Sequence, residues 1–135
     1  MQLGRITAVT ITSPDLNQVV DIYSDYLNYR LISSSRVNTD QAKNWDAPNL
    51  ENSEMVYMSP ESSDDFFFRF VEQTIDEDYV PFGTYGWNAA ELIVSDVDRS
   101  AEKLIGSPFE VIGEPADLSF TEQIRAMQIM GPSKE

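Results

Sequence analysis

The chain has no histidine and no cysteine. Disulfides, thiolate nucleophiles and cysteine-type zinc sites are therefore excluded. Neither a Cys–His dyad nor a Ser–His–Asp triad can be assembled from this chain. Basic residues are scarce: 9 Lys and Arg stand against 23 Asp and Glu, a formal charge of −14. A nucleic-acid binder needs clustered cations to neutralise phosphate, and an anionic membrane surface makes the same demand. Nucleic acid and membrane are thus both excluded as expected partners. The acids are spread through segments such as Glu61 to Asp65 and Asp76-Glu77-Asp78, which reads as charge for solubility. The six glycines are scattered, and none forms a GxGxxG or Walker phosphate loop. No apolar run approaches the ~20 residues of a membrane helix. Met1-Gln2-Leu3-Gly4-Arg5 leads straight into a strand pattern without the long apolar core of a signal peptide. A cytoplasmic location is the expectation.

What is present is enough for a core: 41% of the 135 residues are apolar and aromatics are plentiful. One compact domain is the natural prior at this length. Ile6 to Thr12 is rich in β-branched residues and reads as a strand. Ser13-Pro14-Asp15 reads as a helix start, with a hydroxyl cap, a proline at the first helical position and an acid in the first turn. Leu16, Val19, Val20, Tyr23, Tyr26 and Leu27 follow at helical spacing, and Asn28 ends the helix. Strands are expected at Tyr29 to Val37, Glu54 to Ser59 and Asp65 to Glu72. Asn38 to Asn52 reads as a long polar loop anchored by Trp45, and Thr74 to Gly86 as a connector.

The pattern then repeats. Ala8-Val9-Thr10-Ile11-Thr12-Ser13-Pro14-Asp15-Leu16 is echoed by Ala89-Ala90-Glu91-Leu92-Ile93-Val94-Ser95-Asp96-Val97. Each is a short apolar strand running into a Ser/Asp cap and an amphipathic helix. Strands at Phe109 to Ile112 and Ile124 to Met130 complete the second unit, with a loop from Gly113 to Thr121. The fold class expected is α+β, with paired βαβββ modules forming a curved mixed sheet cup. Module one spans 1–75, the connector 76–86 and module two 87–135. The second module lacks its last strand, so a truncated chain, or the N-terminal half of a longer protein, is expected. The edge left open is one reason to expect a homodimer.

These segments, together with Phe66 to Glu72 and the closing Gly131-Pro132-Ser133-Lys134-Glu135, resemble the vicinal oxygen chelate superfamily. That superfamily includes glyoxalase I, bleomycin-resistance proteins and extradiol dioxygenases. The resemblance implies a cup-shaped domain, a tendency to pair, and in metal-bearing members a ligand on the first strand of each module with acidic ligands on the last strands. Carried over by position, these fall on Ala8, Ala89 and Arg69. Two alanines and an arginine offer a divalent cation no donor, so the resemblance implies a metal-free member with no cofactor.

Strand alternation places Ala8, Thr10 and Thr12 on one face, and Phe67, Arg69 and Val71 likewise. Ala89, Glu91 and Ile93 alternate in the same way. If these faces line the cup, Arg69 and Glu91 share a pocket. They would bind a polar group of a small, partly apolar ligand, with Thr10 beside them and Phe67 and Trp87 as aromatic walls. The competing reading is an internal Arg69–Glu91 salt bridge that only closes the cup. Glu91 as a general base is disfavoured, because a neighbouring arginine lowers a carboxyl pKa. The functional expectation is a binding domain without catalysis of its own. The alternatives are the non-catalytic half of a lyase or dioxygenase-type metalloenzyme, whose metal lies in a missing C-terminal domain, and a structural module without ligand.

Overall fold

A computed structural model describes residues 4–86 and 89–135 of the chain. They fall into two compact units, Met1–Asp78 and Tyr79–Glu135. In the first unit the order is β1 (Ala8–Ser13), α1 (Leu16–Leu27), β2 (Tyr29–Arg36), α2 (Thr39–Asn44), a 3-10 turn (Pro48–Leu50), β3 (Glu54–Pro60) and β4 (Phe67–Glu72). The sheet runs β1-β4-β3-β2. β1 is parallel to β4, and the other two pairs are antiparallel. A parallel pair needs a long crossover, and everything from α1 to β3 supplies it. This is one complete βαβββ module.

The helix start differs from the sequence expectation by two residues. Asp15, not Ser13, is the N-cap, and its carboxylate accepts the Gln18 amide at 2.9 Å. The Ser13 hydroxyl accepts the Asp15 amide instead, so the two polar residues share the work of the turn. Asn28 ends α1 in the left-handed conformation, which short polar side chains tolerate. The segment 38–52 is not a plain loop. Asn38 and Gln41 form a capping box that starts α2, two reciprocal bonds that satisfy otherwise orphaned amides.

The two faces of the sheet bury different cores. α1 lies over Phe68 and Phe70, with Tyr23 edge-on to both rings at 5.8 and 4.9 Å. Met58 and Val56 pair with Phe68 and Phe70 on the same face, and all are buried. On the opposite face Met55 and Val71 join Val37, Ala42 and Leu50, and Trp45, Ala47 and Tyr57 pack against that cluster. The triple Phe therefore divides as alternation requires: Phe68 faces α1 and Phe67 faces the other way.

Tyr29 is buried among these rings, and that burial pushes its phenol up to about 12 from 10.0. The folded protein favours the neutral phenol. Its contribution is therefore fully present below about pH 10 and lost as pH rises through about 12, a difference of about 2–3 kcal/mol. Tyr29→Phe cannot ionise. Its urea midpoint is expected to fall less than that of the wild type between those two pH values, and equal falls would refute the assignment.

The second unit holds α3 (Val97–Lys103), β5 (Glu110–Leu118) and β6 (Thr121–Met130). Asp96 caps α3 as expected, accepting the Arg99 amide at 3.0 Å. β5 continues through what the sequence suggested was a loop at 113–121 and pairs with β6 through several register shifts. The larger correction concerns Ala89–Val94, which belongs to no strand. Its counterpart β1 is a strand because β4 lies beside it. Among the described residues the second unit has no equivalent of β4, and a strand without a ladder partner leaves its backbone groups to water. Leu92, Ile93 and Val94 are exposed accordingly. The described fold is thus mixed α+β with one four-stranded and one two-stranded sheet. No helix among the described residues is long and apolar enough to cross a membrane.

Candidate functional site

The register of the first sheet sets Thr10, Arg69 and Tyr57 side by side on β1, β4 and β3. They form a row across the face opposite α1. Directly opposed residues on neighbouring strands lie about 4.5–5.5 Å apart at Cβ, so their side chains must accommodate one another. Thr10 Oγ1 accepts from Arg69 Nε at 2.9 Å and from Arg69 Nη2 at 2.7 Å. The guanidinium lies 4.4 Å from the Trp45 ring centre and 5.9 Å from that of Tyr57. Arginine stacks on aromatic faces in this way because the ring quadrupole attracts the cation. Phe67, one step along the same face, meets the Tyr57 ring at 5.3 Å.

Sequence and fold explain how these groups meet. Alternation along Phe67-Phe68-Arg69-Phe70-Val71 gives Arg69 to the face that α1 does not cover. α2 and the 3-10 turn cover the Val71–Met55 end of that face through Ala42 and Leu50. Trp45, at the C-cap of α2, is carried from that cluster to the guanidinium. Arg69, Trp45, Tyr57 and Phe67 are each half-buried, and Thr10 is exposed.

Three of the residues expected at the site, Thr10, Phe67 and Arg69, are brought together. Glu91 lies in the second unit, exposed and outside any strand. Trp87 falls outside the described residues. Two members were missed by sequence reasoning. Trp45 anchors its segment as the sequence suggests, from the C-cap of α2 rather than from a loop, but its second contact with Arg69 has no local signal. Tyr57 could have been found by alternation, because its neighbours Val56 and Met58 face α1.

Arg69 differs from most of the other arginines. Four of the six, Arg5, Arg30, Arg36 and Arg125, pair with carboxylates among the described residues. Arg125 holds Asp98 and Asp117 together, and its hydrogen bond keeps the Asp98 carboxyl below its ordinary range. Arg69 has a hydroxyl and two rings instead, with no carboxylate among the described residues of its unit. A recess of about 510 Å³ elsewhere in the first unit is lined by Asp15, Ser35, Arg36, Glu54 and Glu72 among others. Its cation, Arg36, is already committed to Glu54, and no aromatic ring lines it. The chemistry points to the sheet face around Arg69 rather than to that recess.

The donor set does not fit a divalent cation. Ala8 and Ala89 carry methyl groups, Arg69 is donor-only, and no three His, Cys, Asp or Glu residues group together among the described residues.

Neither a protein-family model nor a curated protein sequence matches the chain. Solved structures do match. A glyoxalase family protein from Bacillus cereus superposes with a TM-score of 0.71 at 17% identity, covering 97% of this chain and 89% of its own. The chain has the vicinal oxygen chelate fold. A member of the glyoxalase/bleomycin resistance protein/dioxygenase superfamily from Sphaerobacter thermophilus gives 0.59 at 16% identity, with coverage of 97% and 91%. A fosfomycin resistance protein from Listeria monocytogenes, complexed with Mn(II) and sulfate, gives 0.56 at 15% identity, with coverage of 99% and 88%. Within the vicinal oxygen chelate fold, this chain sets an arginine on the last strand of its first module, stacked on a tryptophan.

Proposed function

We propose that the chain is a binding domain for a small, partly apolar molecule, seated on the sheet face that carries Thr10, Phe67, Arg69, Tyr57 and Trp45. The observation that supports it most is the Thr10–Arg69–Tyr57 row. It places one oriented cation among partly open aromatic rings, the usual composition of a small-molecule site. A purely structural row would be expected to pair the arginine with one of the many available carboxylates, as most of the others are paired. The neighbour from Listeria is complexed with a metal and an oxyanion; the residues here offer the cation of a side chain in place of a metal.

Native mass spectrometry of the purified full chain, followed by amide and side-chain NMR with a panel of small aromatic molecules, tests the proposal. Shift changes are expected to cluster on Thr10, Trp45, Tyr57 and Phe67. Phe67→Ala should weaken binding several-fold while the fold persists, because Phe67 is half-buried and its removal sacrifices only part of a ring's burial. Shift changes confined to other faces would overturn the reading.

A further inference from the structure

We infer that Arg69 is an oxyanion fork, and that the ligand of this face carries a planar carboxylate on an aromatic body. The inference rests on the proposed binding role of the same face and deepens it. A guanidinium presents its N–H groups in one plane along distinct edges. Thr10 Oγ1 alone occupies the edge formed by Nε and Nη2. The Trp45 ring fixes the plane from one side at 4.4 Å. Both protons of Nη1 and the second proton of Nη2 have no acceptor among the described residues of the first unit. One of the Nη1 protons and that second Nη2 proton form the outer edge of the fork, whose spacing matches the two oxygens of a carboxylate.

The same arrangement makes Thr10 more than a spacer. Its oxygen accepts both bonds from Arg69, so its own proton is left to donate. A carboxylate on the fork would lie in the guanidinium plane. Its aromatic body would extend over the rings that flank that plane, Tyr57 and Phe67, which already contact one another. A half-buried cation without a counter-charge is costly, and an anion offsets that cost. The net charge of −14 disfavours polyanions at long range. A single charge on an apolar body is the class that satisfies both conditions.

Benzoate is the probe, with benzamide as its neutral counterpart of the same shape. Each is titrated into the ¹⁵N-labelled full chain, and the Arg69 Nε–H and Trp45 indole signals are followed. Benzoate is expected to shift both signals and to bind about tenfold or more tightly than benzamide, as befits a charge-assisted bidentate pair. Arg69→Gln should remove that preference, leaving the two probes equal. Thr10→Val keeps the cation but frees its edge, and should weaken benzoate binding several-fold with little effect on benzamide. It serves also as the second variant should Arg69→Gln fail to fold. Equal binding of benzoate and benzamide to the wild type on this face would overturn the oxyanion fork while leaving the binding face intact. Benzoate shifts that miss Arg69, or that survive Arg69→Gln in a folded protein, would overturn it as well. If neither probe perturbs this face, the fork and the binding role fall together.

Discussion

Phe70→Ala is expected to cost about 3–5 kcal/mol of stability, the range for emptying a fully buried aromatic site. Phe70 is 0% exposed. It sits on β4 between β1 and β3, opposite Ile11 and Val56, and its ring meets Tyr23 of α1 at 4.9 Å and Phe68 at 5.9 Å. Domains of this size are stable by about 5–15 kcal/mol, so this one change removes a large share. Urea unfolding should show a lower midpoint with an unchanged slope. The paired control is Phe67→Ala, one residue away on the opposite face, where the half-buried ring should cost far less. Equal midpoints for the two variants would mean that the faces of β4 had been assigned wrongly, and with them the side on which Arg69 stands.

That face assignment is also where sequence reasoning succeeded. Alternation along Phe66 to Glu72 separates Phe68 and Phe70 from Phe67 and Arg69. The first repeat unit, with its cap, its helix and its three following strands, was legible because each local choice agreed with the module. Two kinds of information were not. Pairing decides whether an apolar extended segment becomes a strand: Ala8–Ser13 has β4 beside it, whereas Ala89–Val94 has the same pattern and no ladder among the described residues. Long-range placement decides which loop residue reaches a site. The capping box of Asn38 and Gln41 could be read locally, but the path that brings Trp45 to Arg69 depends on Ala42 and Leu50 packing on Val37, Met55 and Val71. The partner of Arg69 was expected to be a carboxylate because a buried guanidinium needs compensation. Only half-buried, it finds a hydroxyl and an aromatic face within its own unit.

Trp45→Ala is therefore expected to act twice, on the fold and on the cation. Its ring packs against the apolar cluster of Val37, Ala42, Leu50, Met55 and Val71 and lies under the Arg69 guanidinium. Truncating a half-buried tryptophan loses part of the burial of a large ring, and the cation–π contact adds roughly 0.5–2 kcal/mol. The sum is expected at about 2–4 kcal/mol in urea unfolding, below that of Phe70→Ala because Trp45 keeps one side in water. The second effect separates this residue from an ordinary core position. With the ring gone, Thr10 alone holds the guanidinium, and the Arg69 Nε–H signal should lose its ring-current shift and exchange faster with water. Trp45→Phe keeps a ring at the site and should restore most of the Arg69 signature, though a smaller ring fills the cluster less well. Val19→Ala offers the comparison that isolates the two roles. It empties a fully buried site of α1, on the opposite face of the sheet, without touching Trp45 or Arg69, so it should lower stability while the Arg69 signal stays in place. A Trp45→Ala protein that loses stability but leaves Arg69 unmoved would show that the stacking does not orient the cation. The row of Thr10, Arg69 and Tyr57 would then have to owe its geometry to the strands alone.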